Sequence, residues 1–224
     1  MSRESLTGLT QNHLTECQIG TQSVLAHPLA GEALEKLYHQ AEKAGFELGI
    51  ASGFRDYHRQ KAIWDAKYSG QRAILDSQSQ PIDPASLSDE EKVLAILRWS
   101  ALPSASRHHW GTDFDVYAKN CLPDGVSLQL EPWEYQTGHQ KAFSDWLSQE
   151  MQSFGFYLPY QNDLGGVAIE PWHISFEAVA KPNLNALSVE TIRETLHISP
   201  IEGQQIVLPM LDTIYNRFIN NVGD

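Results

Sequence analysis

The chain has 224 residues, of which 42% are hydrophobic, and a formal net charge of -12. This length suits one domain with a core of its own, and the hydrophobic content excludes wholesale disorder. The acidic balance argues against a nucleic-acid binder, whose affinity comes largely from lysines and arginines that contact phosphates.

The cysteines and the N-terminus limit the chemistry and the compartment. Cys17 and Cys121 form no C-x-x-C pair, which excludes a cysteine-rich zinc site, and we expect two free thiols rather than one disulfide. Residues 1–20 hold no continuous apolar segment of the signal-peptide kind, and no apolar run reaches the length of a membrane span. We therefore expect a soluble cytoplasmic protein, or one of the periplasm or cell envelope if a signal has been removed.

Hydrophobic spacing and end signals place the secondary structure. Asp56 is a predicted N-cap, residues 88–91 form a capping box, and the polar stretches 70–87 and 120–137 predict long loops. In chain order, the predicted elements are a helix over 31–45, a strand over 46–51, a helix over 56–68, a helix over 88–99, a strand over 112–118, a helix over 141–154, a strand over 167–169 and an extended segment over 174–176.

The last part of the chain differs in character. Residues 188–197 and 199–220 read as two amphipathic helices, the second opened by a capping box at 199–202 and kinked at Pro209. We divide the chain into a catalytic domain over 1–187 and a C-terminal helical extension over 188–224, packed on the same domain. The extension carries no catalytic pattern, and its helices are a candidate contact between two copies of the chain.

Two motifs carry the chemistry: Ser106-Arg107-His108-His109-Trp110-Gly111-Thr112-Asp113-Phe114-Asp115 and, downstream, Glu170-Pro171-Trp172-His173. Catalytic zinc takes three protein ligands and keeps one position for water. His108 and Asp115 would come from a loop that enters a strand, and His173 from another strand. Glu170 would stand beside the metal as a proton carrier, so that the parts describe metal-assisted hydrolysis of an amide.

The pattern S-x-H-x(6)-D, followed by E-x-W-H and preceded by S-G-F-R, resembles the zinc D-alanyl-D-alanine carboxypeptidases of the VanY and LdcB type. This family is related to the dipeptidase VanX and to the hedgehog domain. The resemblance covers roughly residues 30–180. We expect an α+β fold, in which a small, mostly antiparallel sheet is flanked by helices and carries a zinc cleft.

The resemblance also implies roles for individual residues. It makes His108, Asp115 and His173 the zinc ligands, Glu170 the catalytic base, and Arg55, Gln60 and Ser106 the residues that bind substrate. Arg55 would also polarise the scissile carbonyl. The sequence departs from the family at Asp113, where alanine is common, and we expect this side chain to face solvent. His109 is expected to point away from the metal.

The predicted function is a zinc carboxypeptidase that removes a C-terminal D-alanine from peptidoglycan peptides, by cleaving a D,D or an L,D bond. Its partners would be stem peptides or their precursors, with no nucleic acid and no membrane span. Two alternatives stay open at this point. One is an endopeptidase that cuts inside the stem peptide, and the other is a zinc-containing binding module without turnover.

Overall fold

The computed structural model describes residues 1–223. Its strands are, in chain order, β1 (Thr15–Ile19), β2 (Gln22–Ala26), β3 (Leu48–Ser52), β4 (Ile74–Leu75), β5 (Pro81–Ile82), β6 (Asp113–Ala118), β7 (Phe156–Tyr157) and β8 (His173–Phe176). Its α-helices are α1 (Arg3–Leu6), α2 (Pro28–Lys43), α3 (Tyr57–Tyr68), α4 (Asp89–Leu97), α5 (Pro132–Gln136), α6 (Lys141–Glu150), α7 (Glu177–Ala186), α8 (Val189–Ile198), α9 (Gln204–Val207) and α10 (Leu211–Ile214).

The central sheet has four strands in the order β3-β6-β8-β7, and every neighbouring pair is antiparallel. Two separate hairpins, β1–β2 and β4–β5, lie outside it. Strand β6 lies between β3 and β8, and its register with β8 sets Asp115 opposite His173. This arrangement of a small antiparallel sheet with helices confirms the predicted α+β class.

Local end signals explain where several helices begin. The Asp56 carboxylate accepts a hydrogen bond of 2.7 Å from the backbone N–H of Arg59 and starts α3. Ser88 and Glu91 form the expected capping box, which satisfies orphan donors at the start of α4. After α6, a 3-10 turn over Met151–Phe154 ends at Gly155, whose φ of 80° glycine adopts without strain.

Other sequence-based elements were wrong or incomplete. Residues 167–169 form no strand, because the Ala168 N–H donates to the carbonyl oxygen of Arg98 in a loop rather than to a neighbouring strand. The predicted long helix over 199–220 is broken into short pieces, and its first piece begins at Gln204 after the left-handed Gly203. The hairpins β1–β2 and β4–β5, the strand β7 and the helices α1, α5 and α7 were not predicted. Of these, β4–β5 and α5 lie in the stretches 70–87 and 120–137, which were predicted to be loops.

The core consists of two hydrophobic clusters. One lies between the sheet, α2 and α6 and is built on side chains such as Leu34, Phe114 and Phe143. The other joins α3 and α4 to the C-terminal helices α8–α10, with Trp64 and Ile192 among its fully buried members. Full burial of such a side chain stabilises the fold by about 1.5–3 kcal/mol.

The C-terminal helices are also tied to α3 by hydrogen bonds. The hydroxyl of Tyr57 donates to the carbonyl oxygen of Ser199, and the indole N–H of Trp64 donates to the carbonyl oxygen of Glu202 at 3.0 Å.

The domain boundary at residue 187 and the contact between two copies of the chain stay predictions. Cys17 and Cys121 are both free. Within residues 1–223, none of the helices combines the length and the apolar character that crossing a membrane requires.

Candidate metal centre

Neighbouring strands bring the two motifs together. Asp115 on β6 lies opposite His173 on β8, while His108 sits in the 3-10 turn Arg107–Trp110 that precedes β6. Each of these three side chains offers a ligand atom, the three atoms lie within 4.8 Å of one another, and all three residues are buried. The predicted ligands are therefore close enough to share one ion.

Gly111 makes the turn between His108 and β6 possible. Its φ is 65°, in the left-handed region that side chains other than glycine rarely adopt. A Cβ at this position would lie 2.3 Å from Cδ2 of Leu14 and 2.9 Å from the backbone nitrogen of His27. Both the conformation and the close approach of the N-terminal segment therefore require glycine.

The ring of His108 is held in one tautomer. Its Nδ1 lies 2.9 Å from the carbonyl oxygen of Gly53, which can only accept, so Nδ1 carries the proton and donates. This leaves Nε2, 3.5 Å from Oδ2 of Asp115, as the nitrogen that can bind a metal. Burial lowers the pKa of His108 to about 3, which keeps the ring neutral, the form that ligates metals.

His173 is oriented by two carboxylates. Its Nε2 lies 2.9 Å from Oδ1 of Asp113, and its Nδ1 lies 3.1 Å from Oδ1 of Asp115. Burial lowers the pKa of this imidazole, but the two carboxylates outweigh burial and raise it to about 10. Because Nε2 is engaged by Asp113, Nδ1 is the nitrogen available for a metal. The raised pKa means that an ion bound there has to displace a proton.

The donor set fits a zinc ion. Two imidazole nitrogens and one carboxylate are a known ligand set for catalytic zinc, which keeps a further position for water. Oδ1 of Asp115 is buried and accepts no hydrogen bond of good geometry from any described residue, although His173 Nδ1 is near. Both ring orientations are fixed by acceptors on the far side of the imidazoles, as is usual for metal-binding histidines.

The expectation that Asp113 faces solvent was wrong. Asp113 is 0% exposed, and besides His173 it accepts hydrogen bonds from Arg107 Nε at 2.8 Å and from the hydroxyl of Thr112 at 2.6 Å. The physical reason is that alternation along β6 places residues 113 and 115 on the same face of the sheet, and on this face Arg107 and His173 lie against the Asp113 carboxylate. Burial raises the pKa of Asp113, but Arg107 and His173 outweigh this and hold it well below its usual range.

Glu170 stands beside the ligand group without belonging to it. Its Oε2 lies 3.4 Å from Nδ1 of His173. Burial raises the pKa of the Glu170 carboxyl to about 7, with His173 opposing the shift. A carboxylate with a pKa near neutrality can both take up and release a proton at physiological pH. His109 is buried outside the ligand group, with its Nδ1 2.6 Å from the carbonyl oxygen of Arg55.

The three residues predicted to bind substrate are near one another but differently placed. Arg55 lines a cavity, where its Nη1 donates to Oε1 of Gln60 at 2.8 Å and its Nη2 donates to the hydroxyl of Ser52 at 3.0 Å. Gln60 is fully buried, does not line the cavity and donates to the carbonyl oxygen of Ala101 at 2.6 Å. Ser106 lines the cavity, and its Oγ has no hydrogen-bond partner among the described residues.

The cavity, of about 330 Å³, unites the ligand group with Arg55, Ser106 and Glu170. Its wall also contains Lys67, Arg72 and Tyr160, which the sequence-based reasoning did not single out. No local signal marks these residues, since a lysine in α3 resembles any lysine of a solvated helix face. Asp113 carried the only detectable signal, its departure from alanine beside a predicted ligand.

Sequence comparison extends the match beyond the motifs. A model of the VanY D-alanyl-D-alanine carboxypeptidase family matches residues 23–179. An uncharacterized protein of Haemophilus influenzae is 36% identical over 121 residues, which cover 53% of this chain and 92% of that protein. A D-alanyl-D-alanine carboxypeptidase of Enterococcus faecalis is 27% identical over 168 residues, which cover 72% of this chain and 53% of that protein. The chain thus matches about half the length of this named carboxypeptidase.

Solved structures share the fold. The LD-carboxypeptidase LdcB superposes with a TM-score of 0.54 at 22% identity, covering 82% of this chain and 78% of that chain. VanYB in complex with D-alanine-D-alanine superposes with a TM-score of 0.52 at 22% identity, covering 85% of this chain and 92% of that chain. A Zn(II) complex of the vancomycin resistance D,D-pentapeptidase VanY superposes with a TM-score of 0.50 at 19% identity, covering 88% of this chain and 92% of that chain. Because the family model matches more than half of its residues, the chain belongs to the VanY family of D-alanyl-D-alanine carboxypeptidases.

Proposed function

We propose that the protein is a zinc-dependent carboxypeptidase that removes the C-terminal D-alanine from peptidoglycan peptides. The observation that carries this proposal is the buried His108, Asp115 and His173 group, with the Glu170 carboxylate 3.4 Å from one of its rings and a cavity open to both. Membership in the VanY family and the fold shared with a Zn(II) complex support the metal and the reaction class.

The residues around the cavity have separate roles in the proposed reaction. Zinc, when bound, supplies a water of lowered pKa and polarises the scissile carbonyl. Glu170 takes the proton of the attacking water and delivers it to the leaving amine, a task suited to its pKa of about 7. Arg55 offers its guanidinium to the carbonyl oxygen as negative charge develops there, and its bonds to Gln60 and Ser52 hold it in place beforehand.

The terminal carboxylate of the peptide needs donors of its own. Ser106 supplies a hydroxyl in the cavity wall that makes no hydrogen bond to any described residue. Gln60 acts behind Arg55, because it is fully buried and bonded to the guanidinium. In this proposal Gln60 therefore contributes to substrate binding by positioning the arginine.

The bond that is cleaved has two candidates, each with a solved structure of the same fold. VanYB was solved with D-alanine-D-alanine, and LdcB is an LD-carboxypeptidase. Incubation of pentapeptide and tetrapeptide muropeptides with the zinc-loaded protein, followed by mass spectrometry with and without chelator, separates the two. Loss of alanine from the pentapeptide assigns a D,D bond, and loss from the tetrapeptide assigns an L,D bond.

Two variants test the assignment of roles. We expect Glu170→Ala to abolish hydrolysis while the protein keeps one zinc per chain, and His173→Ala to lose the zinc. Glu177→Ala is the matched control, because Glu177 is an exposed glutamate that pairs with Lys181 at the start of α7. Full activity in Glu170→Ala would refute the mechanism. Cleavage inside the stem peptide would identify an endopeptidase, and bound zinc with no cleavage would identify a binding module.

A further inference from the structure

A buried lysine in the cavity wall forms no ion pair with any described residue. Lys67, near the end of α3, is 9% exposed, and its Nζ donates to the hydroxyl of Ser100 at 2.7 Å. Within residues 1–223 no carboxylate lies within ion-pair distance of this ammonium, whereas Lys61 on the same helix pairs with Asp65. Lys67 and Ser100 both line the cavity that contains Glu170.

Burying an ammonium group in this position reduces the stability of the fold unless a ligand supplies the opposite charge. Removing an ammonium from water without a counter-charge disfavours its charged form. Burial, with Arg72 adding to its effect and Glu170 opposing it, lowers the pKa of Lys67 to about 8, so that most molecules still carry the ammonium charge at neutral pH. Arg55 and Arg72 line the same cavity and add positive charge, although the chain as a whole is acidic.

Lys67 and Ser100 together keep hydrogen-bond donors that can serve a ligand in the cavity. An ammonium has three N–H groups, and one of them is used by Ser100. Since the oxygen of Ser100 accepts that bond, its hydroxyl proton is available to a ligand. The pair therefore presents two kinds of donor, one of them charged, side by side in the cavity wall. A single carboxylate, with two acceptor oxygens, matches this pair.

We propose that Lys67, held by Ser100, binds a carboxylate of the peptide substrate and so makes the cavity selective for anionic peptides. This inference rests on the proposed function, because it concerns the same cavity. The carboxylate has two sources in a peptide: the free C-terminus of the residue that is released, and the acidic side chain of a residue before the scissile bond. Both present the same chemistry to an ammonium.

The test uses the zinc-loaded protein and four synthetic peptides that end in D-alanine. Two differ only in a free or amidated C-terminus, and two differ only in a glutamate or glutamine before the scissile bond. For wild type, Lys67→Met and Lys67→Arg, kcat/KM is measured for each peptide, together with the Kd of the same peptides for binding. Lys61→Met is the control, because Lys61 lies on α3 outside the cavity.

We expect Lys67→Met to lower kcat/KM by about 10- to 100-fold, mainly through KM, for the peptide that carries the recognised carboxylate, since a hydrogen bond to a charged group has this strength. Its amide counterpart should lose less than about 2-fold, and Lys67→Arg should retain part of the preference. A loss confined to the free C-terminus assigns that carboxylate, and a loss confined to glutamate assigns the side chain.

Equal losses on all four peptides, or none, would overturn the proposal. If wild type cleaves none of the peptides, the proposed function fails, and the Kd values still decide the role of Lys67. In that case tighter binding of the free acid or of the glutamate peptide, lost in Lys67→Met, supports the carboxylate site. Equal Kd values for acid and amide reject it.

Discussion

Replacing Lys67 by methionine should make the folded protein more stable at neutral pH. The substitution keeps an unbranched side chain of similar length and removes a charge that has no carboxylate partner among residues 1–223. Binding sites commonly retain groups that reduce stability because they serve a ligand. A buried ammonium that serves a substrate carboxylate is expected to be such a group.

The magnitude follows from the pKa of Lys67, which burial lowers from 10.5 to about 8. A difference of about 2.5 pKa units between the unfolded and folded states corresponds to about 3 kcal/mol at pH 7. Losing the hydrogen bond to Ser100 offsets about 1 kcal/mol of this. The net expectation is that Lys67→Met raises the free energy of unfolding by about 2 kcal/mol at pH 7.

The sign of the pH dependence is also determined. Because the folded-state pKa lies below the unfolded value, the unfolded chain binds this proton more tightly, and the charge destabilises the fold fully only below about pH 8. The cost disappears as the pH rises from 8 towards 10.5. The difference between variant and wild type should therefore shrink by about 2 kcal/mol between about pH 7 and pH 9.5.

Urea unfolding followed by tryptophan fluorescence, with both proteins saturated with zinc, measures this difference at the two pH values. Lys61→Met serves as the control, because Lys61 is paired with Asp65, and its replacement should not stabilise the protein. A destabilised Lys67→Met at pH 7 would refute the reasoning. A gain in stability that does not change with pH would equally show that the charge is not its cause.

Three further predictions concern the metal centre. Asp113→Ala should weaken zinc binding by about 10- to 100-fold in chelator competition, because His173 loses the carboxylate that orients its ring; Asp113→Asn, which keeps an acceptor, should lose less. Arg107→Met should destabilise the fold by about 3–5 kcal/mol in urea unfolding, since it removes the guanidinium that pairs with the buried Asp113 carboxylate, and an unchanged midpoint would contradict this. Gly111→Ala should lower the thermal midpoint, because the added Cβ meets Leu14 in a left-handed conformation; a wild-type midpoint would contradict the geometry.

Features that depend on neighbouring residues could be predicted from the sequence. The N-cap at Asp56 and the capping box at Ser88 are local, because a side chain there bonds to a backbone N–H only three residues away. The end of α6 is also a local feature, because the left-handed conformation that stops the segment is one that Gly155 adopts without strain. By contrast, the helix predicted from Ser199 failed because the left-handed Gly203 breaks the segment before α9 begins.

The sequence by itself determined the family, the α+β class and the residue types of the candidate metal-binding group, because the motifs are short and their spacing is specific. Only the tertiary structure decided what surrounds that group. Asp113 is buried because its end of β6 pairs with β8 and its carboxylate lies against His173, and the ammonium of Lys67 meets the hydroxyl of Ser100 rather than a carboxylate. Both facts depend on contacts between segments tens of residues apart, and a single sequence carries no local signal of such contacts.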